Sequence, residues 1–301
     1  MRRDLSLQVS EPLNPFRLPS GTRIGRVVLQ IADLERSLAF YQEVIGFRLL
    51  VRDEGPSGRR ATLGAPASDR VLLELLEKPG VQPIPYRGRL GIYHFATLLP
   101  SRPDLGRFLR HVASLGVRAG SAEHRVSEAM YLVDPDGISV EVYRDRPPEE
   151  WPLRDGEVVA PSDPLDVDGL LAAAGSGAWQ GVPKDTTVGH MHFYVGDLPA
   201  AEAFYHKALG FDRTMWSVPH MLFVAAGGYH HHVGLNTFAA DTPVATADDA
   251  KLLYWELRLP DAATVNATAD NIRRGGYRIT EADDHVLAHD PWSITVRLTH
   301  D

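Results

Sequence analysis

The stretch that decides the fold is GHMHFYVGDLPAAEAFYHKALGF, residues 189–211. An earlier stretch, GRVVLQIADLERSLAFYQEVIGF at residues 25–47, has the same layout: an apolar run, Asp-Leu, a Phe-Tyr pair and a final Gly-Phe. A constant shift of 164 residues relates the two copies and aligns Arg26 with His190. The chain therefore contains an internal repeat whose two copies begin with side chains of different chemistry.

Each copy reads as a strand followed by a helix. The first apolar run is rich in β-branched and aromatic side chains, which is typical of strands. Asp33 and Asp197 stand where a helix N-cap is expected. Gly46 and Gly210 stand where a left-handed residue ends a helix. Further short apolar runs follow, so each unit is predicted as one strand, one helix and about three more strands.

A second pair of units completes the chain. GIYHFATLLPSRPDLGRFLRHVASLGV and LLYWELRLPDAATVNATADNIRRGGY align with a shift of 160 residues, from Pro100 to Pro260, and Asp136 is matched with Asp290. The predicted class is α+β, with four βαβββ modules in two domains. The predicted boundaries are 1–20 for an N-terminal extension, 21–148 for the first domain, 149–186 for a linker with a short helix around 165–174, and 187–301 for the second domain.

Composition limits the classes of function. The 301-residue chain carries a formal net charge of −8, which argues against nucleic-acid and anionic-membrane partners. It has no cysteine, so any metal must be bound by His, Asp or Glu. No window approaches the roughly 18 apolar residues of a membrane span, and no signal peptide is visible at the start. We expect a cytoplasmic protein, and a homo-oligomer is left open.

Several longer motifs carry a resemblance to a known family. They are GIYHFATLLP, HRVSEAMYLVDPDG, EVYRDRP, GHMHFYVGDL and GGYHHHVGLN. With four such units, the chain resembles the vicinal oxygen chelate superfamily, which holds glyoxalase I, bleomycin resistance proteins and extradiol dioxygenases. The greater likeness is to the two-domain bacterial catechol 2,3-dioxygenases, from about residue 22 onward. The resemblance implies that the four modules form two glyoxalase-like domains.

The resemblance also implies a divalent metal in a cleft between two paired units, bound from the first and last strands. Units three and four offer no good carboxylate, and units one and two place Arg26 at one of the positions. Units two and three offer His94, Glu141 and His190, the two-histidine, one-carboxylate set that non-haem Fe(II) uses. We therefore expect the metal there, as Fe(II), or as Mn(II) or another divalent ion. His192 is the alternative to His190 if the strand register slips.

The other cleft is expected to hold no metal. In this reading Arg26 belongs to the cleft made by units one and four, together with Tyr254 and Thr295. Glu74 is expected to be a solvated charge on a strand.

Three further side chains are predicted to take part in catalysis. Strand alternation is expected to turn His232 toward the cleft of His190, where an imidazole could accept and return a substrate proton. Gly234, two residues on, is expected to leave room there for substrate. His124 and Tyr143 are added from the motif match as residues of the pocket.

The leading hypothesis is an Fe(II)-dependent extradiol dioxygenase that acts on catechol or a related ortho-diphenol with O₂. The enzymatic alternative is a glyoxalase-type, metal-dependent isomerase or lyase. A third hypothesis, from a different class, is a metal-free binding protein of the bleomycin-resistance kind. An intact set of His94, Glu141 and His190 argues against the third, because a binder has no need to bury these polar groups together.

Overall fold

The computed structural model describes residues 15–55, 58–282 and 285–300. Most of the predicted N-terminal extension, residues 1–14, lies outside the described residues. The described parts form four βαβββ units, as the repeats predict. The strands of units one and two are β1 (Arg23–Ile31), β2 (Arg48–Gly55), β3 (Gly58–Gly64), β4 (Leu73–Glu77), β5 (Gly91–Leu98), β6 (Gly120–Glu123), β7 (Ser127–Val133) and β8 (Ser139–Asp145).

Between the halves, the linker carries a short β-ribbon before the third unit begins. The remaining strands are β9 (Leu153–Arg154), β10 (Glu157–Val158), β11 (Thr187–Tyr194), β12 (Asp212–Met215), β13 (Met221–Ala225), β14 (Val233–Asn236), β15 (Lys251–Leu259), β16 (Ile279–Ala282), β17 (His285–His289) and β18 (Thr295–His300).

Two eight-stranded sheets carry the fold. Their strand orders are β16-β17-β18-β15-β1-β4-β3-β2 for units one and four, and β12-β13-β14-β11-β5-β8-β7-β6 for units two and three. The first strands of two units pair antiparallel at the centre of each sheet, β1 with β15 and β5 with β11. Each unit's last strand runs parallel to its first. The α+β class is confirmed, and each sheet joins one unit from each half of the sequence.

The helices begin and end where their capping residues indicate. They are α1 (Leu34–Ala39), α2 (Arg102–Ser114), α3 (Val167–Ala173), α4 (Leu198–Glu202) and α5 (Ala262–Arg274), with a short 3₁₀ turn at Pro148–Glu150. Asp33 and Asp197 accept hydrogen bonds from the first turns of α1 and α4. Both helices continue as wider turns over Phe40–Ile45 and Ala203–Ala208. Gly46, with φ of 90°, then ends the first of them.

The Phe-Tyr pair of the repeat joins neighbouring units. The Tyr41 hydroxyl donates to Asp134 at 2.8 Å, and the Tyr205 hydroxyl donates to Asp290 at 3.1 Å. These bonds make Asp134, two residues before Asp136, the structural counterpart of Asp290. The sequence match of Asp136 with Asp290 was therefore wrong by two residues, because the DPDG turn at 134–137 contains two aspartates and the match took the second.

The linker helix is close to its predicted position. Helix α3 spans Val167–Ala173 and packs on α2 at Gly106, where a Cβ would lie 2.2 Å from the Leu170 carbonyl oxygen. The close approach of the two helices therefore requires glycine at this position. The domain boundaries at 148/149 and 186/187 stay predictions. In the described part of the chain, no helix is both long and apolar enough to span a membrane.

Candidate active site

The register of three neighbouring strands brings the predicted metal ligands together. Ala96 on β5 pairs with Glu141 on β8 and with His190 on β11. Side chains of directly paired residues project from the same face of a sheet. His94, two residues before Ala96, shares that face because strand side chains alternate. Ala96 therefore lies between Glu141 and His190 across the sheet, and His94 lies next to it on the same face of its own strand.

The donor atoms of this triad converge on one point. Glu141 Oε2 lies 2.9 Å from His94 Nε2 and 3.0 Å from His190 Nε2. All three donor atoms lie within 4.8 Å of one another, and all three residues are buried. His94 Nε2 faces Glu141 Oε2 without hydrogen-bond geometry, and Nδ1 of both histidines has no hydrogen-bond partner among the described residues. Buried nitrogens without partners beside a carboxylate fit a divalent ion bound by two histidines and one carboxylate.

The electrostatics of the triad also suit a cation. Burial acts to raise the pKa of Glu141, but His190 and His94 overcome this and hold that pKa well below its usual value. Burial lowers the pKa of His190. The site therefore combines an ionised carboxylate with a neutral imidazole, which are the protonation states that metal binding requires.

The triad lines a cavity of about 650 Å³. Residues from both units surround it, and residues 160–162 of the linker complete one side. The described side chains that line it beyond the triad include Tyr93, His124, Tyr131, His192, Val218, Met221, Phe223, His231 and Phe238. The cavity therefore has imidazole and phenol groups near the triad, apolar side chains on the side of β13, and Ser121, Ser127 and Ser162 on the side of β6, β7 and the linker.

His124 lies in this cavity and is held by two hydrogen bonds. Its Nδ1 lies 2.6 Å from the Pro161 carbonyl oxygen, which can only accept, so Nδ1 carries the proton. Its Nε2, 2.7 Å from the Tyr131 hydroxyl, must then accept from that phenol. Burial raises the pKa of Tyr131 well above its usual value, and Glu141 adds to this effect. Tyr131 is thus a neutral phenol beside the triad.

Sequence reasoning missed Tyr131, although it lies within the quoted HRVSEAMYLVDPDG motif. The available signal was its position on the strand before Glu141, directly opposite it: Tyr131 on β7 pairs with Glu141 on β8.

The His230–His232 run is oriented differently from the prediction. His231 lines the cavity, with its ring centroid 4.2 Å from that of His190. His232 is not among the lining residues; its Nδ1 accepts a hydrogen bond from the Ala226 amide, and its ring stacks on Phe211. The expected orientation of His232 is therefore corrected. Strand β14 begins only at Val233, so alternation does not extend back to these residues.

Hydrogen bonds fix the tautomer of His231. His230 Nε2 lies 2.7 Å from Asp145 Oδ1 and donates to that carboxylate, which leaves His230 Nδ1 as an acceptor. His231 Nδ1 lies 2.7 Å from His230 Nδ1 and therefore donates to it. The remaining nitrogen of His231, Nε2, is then unprotonated and available as a base.

Tyr143 supports the site from behind. It is fully buried and does not line the cavity. Its ring centroid lies 4.8 Å from that of His190, and its hydroxyl is bonded to the Tyr229 hydroxyl at 2.7 Å. A Cβ on Gly189 would lie 1.8 Å from the Tyr143 hydroxyl oxygen, so glycine is required next to His190.

The space beside Gly234 is filled by protein. A Cβ on Gly234 would lie 2.9 Å from the ring of His192, which pairs with Gly234 across β11 and β14. The expectation that this glycine leaves room for substrate was therefore wrong, because His192 occupies the room. Asn236 holds that ring through a 2.9 Å hydrogen bond to Nε2.

The other sheet has a different arrangement at the corresponding place. Arg26 forms ion pairs with Glu74 at 2.9 Å and with Glu256 at 2.8 Å. Glu74 is buried, so the expectation of a solvated charge was wrong. Thr295 is hydrogen-bonded to His289. Among the described residues, His94, Glu141 and His190 form the one cluster of this kind that could hold a metal.

Comparisons with known proteins agree with this architecture. The family model for the glyoxalase/bleomycin resistance protein/dioxygenase superfamily matches residues 23–142 and 187–290. A catechol-2,3-dioxygenase from Bacillus subtilis is 42% identical over 275 residues, which are 90% of this chain and 95% of that protein. The lactoylglutathione lyase GLX1 of Arabidopsis thaliana is 30% identical over 135 residues, 42% of this chain and 46% of its own length.

Solved structures show the same fold. A Bacillus subtilis protein described as a candidate dioxygenase superposes with a TM-score of 0.65 at 13% identity, over 95% of this chain and 86% of its own. Glyoxalase I from Zea mays superposes with a TM-score of 0.57 at 20% identity, over 93% and 92%. The chain therefore belongs to the glyoxalase/bleomycin resistance protein/dioxygenase superfamily and is an enzyme of the dioxygenase type.

Proposed function

We propose that this chain is an Fe(II)-dependent extradiol dioxygenase that opens the ring of a catechol or a related ortho-diphenol with O₂. The observation that carries the proposal is the convergence of His94, Glu141 and His190 at the wall of a large cavity. Two histidines and one carboxylate on one side of a site are the ligand set of non-haem Fe(II) oxygenases. The similarity to a catechol-2,3-dioxygenase over 90% of the chain supports the same reaction.

The three side chains of the triad would hold the metal. Fe(II), or Mn(II) in its place, supplies open positions for both hydroxyls of a catechol and for O₂, and lets electrons pass between them. The chain itself contributes the buried, preorganised ligands and a cavity that shields them from bulk solvent. The cytoplasmic location and a homo-oligomer stay predictions.

We assign the acid–base role to His231. Its ring lines the cavity next to His190, and its hydrogen bond to His230 leaves Nε2 free to take a proton from a substrate hydroxyl. Tyr131 and His124 lie on the side of His94, and because the Tyr131 hydroxyl gives its one proton to His124, its oxygen can accept a hydrogen bond from a substrate hydroxyl. Tyr143 holds the ring of His190 in place without touching substrate.

A pair of adjacent histidines tests this assignment. We expect His231→Phe to bind iron and to lose turnover by about 10²–10⁴-fold, the usual contribution of a general acid–base. His232→Phe, the matched control, should keep turnover within a few-fold of the unchanged protein. Steady-state oxygen uptake, with iron content measured on the same samples, distinguishes the two variants. A large loss with His232→Phe and none with His231→Phe would return the role to His232.

The function itself is tested by loading the protein with Fe(II) under argon and adding catechol with O₂. We expect oxygen consumption and a coloured ring-opened product, and neither without metal. The glyoxalase alternative predicts no oxygen uptake and isomerisation of a glutathione hemithioacetal. Failure of the protein to bind any divalent metal would favour the binding-protein alternative.

A further inference from the structure

The cavity offers far more space than the reacting ring needs. At about 650 Å³ it falls in the range of pockets that hold drug-sized ligands, and a single catechol ring fills a small part of it. Phe223 stacks on His231 with ring centroids 4.3 Å apart, so the apolar wall begins next to the triad. Val218 and Phe238 are each 40% exposed and therefore lie where the cavity opens. A substituent on the ring would run along this wall.

The wall is apolar and carries no positive charge. Met221, Phe223, Val218 and Phe238 form it, and none of the described residues that line the cavity is Lys or Arg. An unpaired carboxylate on a substrate would lose its hydration there without gaining an ion pair.

Fixed charges around the wall add to this effect. The Glu157 carboxylate accepts hydrogen bonds from the backbone amides of Trp216 and Ser217, at 2.6 and 2.8 Å, and so places a negative charge behind the segment that carries Val218. Arg87 lies 5.0 Å from the centre of the Phe238 ring, but it is solvent-exposed and outside the cavity lining. It stays hydrated there, so an ion pair with a substrate carboxylate at the opening would contribute little.

We propose that the substrate of this site is a catechol with a neutral, apolar substituent, an alkyl or aryl group, and that catechols with a carboxylate on the substituent are rejected. The proposal rests on the dioxygenase function proposed above and names the substrate class. Val218 is the wall residue whose side chain controls this selectivity, because it lies at the opening and its substitution leaves the triad intact.

Two catechols of matched shape test the proposal, one with an ethyl and one with a carboxymethyl group at the same ring position. We measure kcat/KM of the iron-loaded protein and, without O₂, the dissociation constants by calorimetry. The ethyl compound should exceed the carboxymethyl compound by at least about 10²-fold in kcat/KM, and its dissociation constant should be correspondingly smaller. Equal values for the two, with catechol itself a substrate, would overturn this inference alone. No binding or turnover of any catechol would instead overturn the proposed function.

A substitution at the wall sharpens the test. Val218→Arg should raise kcat/KM for the carboxymethyl compound by at least about 10-fold, because it supplies a partner for the charge. Val218→Met, a neutral control of similar length, should change the two compounds by equal factors. An unchanged preference in a folded, iron-loaded Val218→Arg would contradict the proposal. The comparison of the two catechols in the unchanged protein does not depend on either variant.

Discussion

The two sheets place side chains at corresponding positions, but the charged and ionisable groups at those positions differ. In the sheet of units two and three, Ala96 pairs with Glu141 and with His190. In the other sheet, Val28 pairs with Glu74 and with Tyr254. The carboxylate is common to both, while the first-strand positions differ.

The difference shows where each carboxylate finds its cation. Arg26, two residues before Val28 as His94 is two before Ala96, brings a guanidinium to Glu74 and also to Glu256. Around Glu141 there is no such side chain among the described residues, only two buried imidazoles, three of whose four ring nitrogens have no hydrogen-bond partner. One fold therefore provides either a cleft whose carboxylates are neutralised by arginines or a site whose side chains could hold a divalent ion. A few side chains decide between them.

The largest expected effect comes from the two corresponding carboxylates. We expect Glu141→Gln to lose iron and at least about 10³-fold in turnover, because it removes the one anionic ligand of the site. Glu74→Gln at the corresponding position should keep both. Iron content and oxygen uptake of the two purified variants give the comparison. Loss of iron in Glu74→Gln, or its retention in Glu141→Gln, would reverse the roles assigned to the two clefts.

The Arg26 guanidinium should contribute to stability and not to activity. Arg26→Met leaves Glu74 and Glu256 buried without their shared partner, although Arg258 and Arg297 still lie 3.3 and 3.7 Å from Glu256. We expect a loss of about 2 kcal/mol in the free energy of unfolding, less than for a fully isolated pair because of these neighbours. Urea unfolding measures it. Loss of turnover in the folded variant would show that this cleft takes part in the reaction.

Substitutions at Ala96, which lies between Glu141 and His190, test the site with a smaller expected effect. Ala96→Val places the side chain found at Val28 between Glu141 and His190 on the sheet, where it crowds both. We expect iron affinity to fall by about 10-fold, with a cost in stability of about 1–3 kcal/mol from overpacking. Competition with a metal chelator measures the affinity. Ala96→Ser adds less bulk, so its iron affinity should lie between those of the unchanged protein and Ala96→Val. An unchanged affinity in Ala96→Val would show that the metal does not lie over this residue.

Much of the fold and part of the site could be predicted from the sequence. The repeat shifts fix four units, and helix caps such as Asp33 and Asp197 follow from local rules that the structure confirms. The grouping of His94, Glu141 and His190 required a resemblance to a known family, because strand pairing between distant units leaves no local signal.

The predictions that were wrong concern residues just outside the strands, where the local backbone path sets the direction of each side chain. The chain bends at His232, directly before β14 begins at Val233, and His231 instead of His232 lines the cavity. Alternation is reliable only within a strand, and the run of three histidines precedes it. The pairing of Tyr131 with His124 was also out of reach, because a hydrogen bond between side chains seven residues apart depends on the β6–β7 hairpin.

The smallest expected effect concerns a feature that both halves share. Burial raises the pKa of Asp134 to about 7, although hydrogen bonds from Ile138, Tyr41 and the Asp136 amide oppose this. The carboxyl is therefore protonated more readily in the folded protein, and its contribution to stability falls as the pH rises from about 4 to about 7. The Tyr41 hydroxyl favours the ionised form, so Tyr41→Phe should make this fall larger and extend it to higher pH.

We therefore expect the cost of Tyr41→Phe to be about 1 kcal/mol at pH 5, where Asp134 is protonated, and about 2 kcal/mol at pH 8.5, where it is ionised. Denaturant unfolding at both pH values measures the difference. Tyr205→Phe is the matched variant in the other half, since burial also raises the pKa of Asp290 to about 7. Its hydrogen bond is longer, 3.1 Å against 2.8 Å, so its effect should have the same sign and a smaller size. A cost of Tyr41→Phe that shrinks with rising pH would contradict this account and show that the tyrosine stabilises the neutral acid.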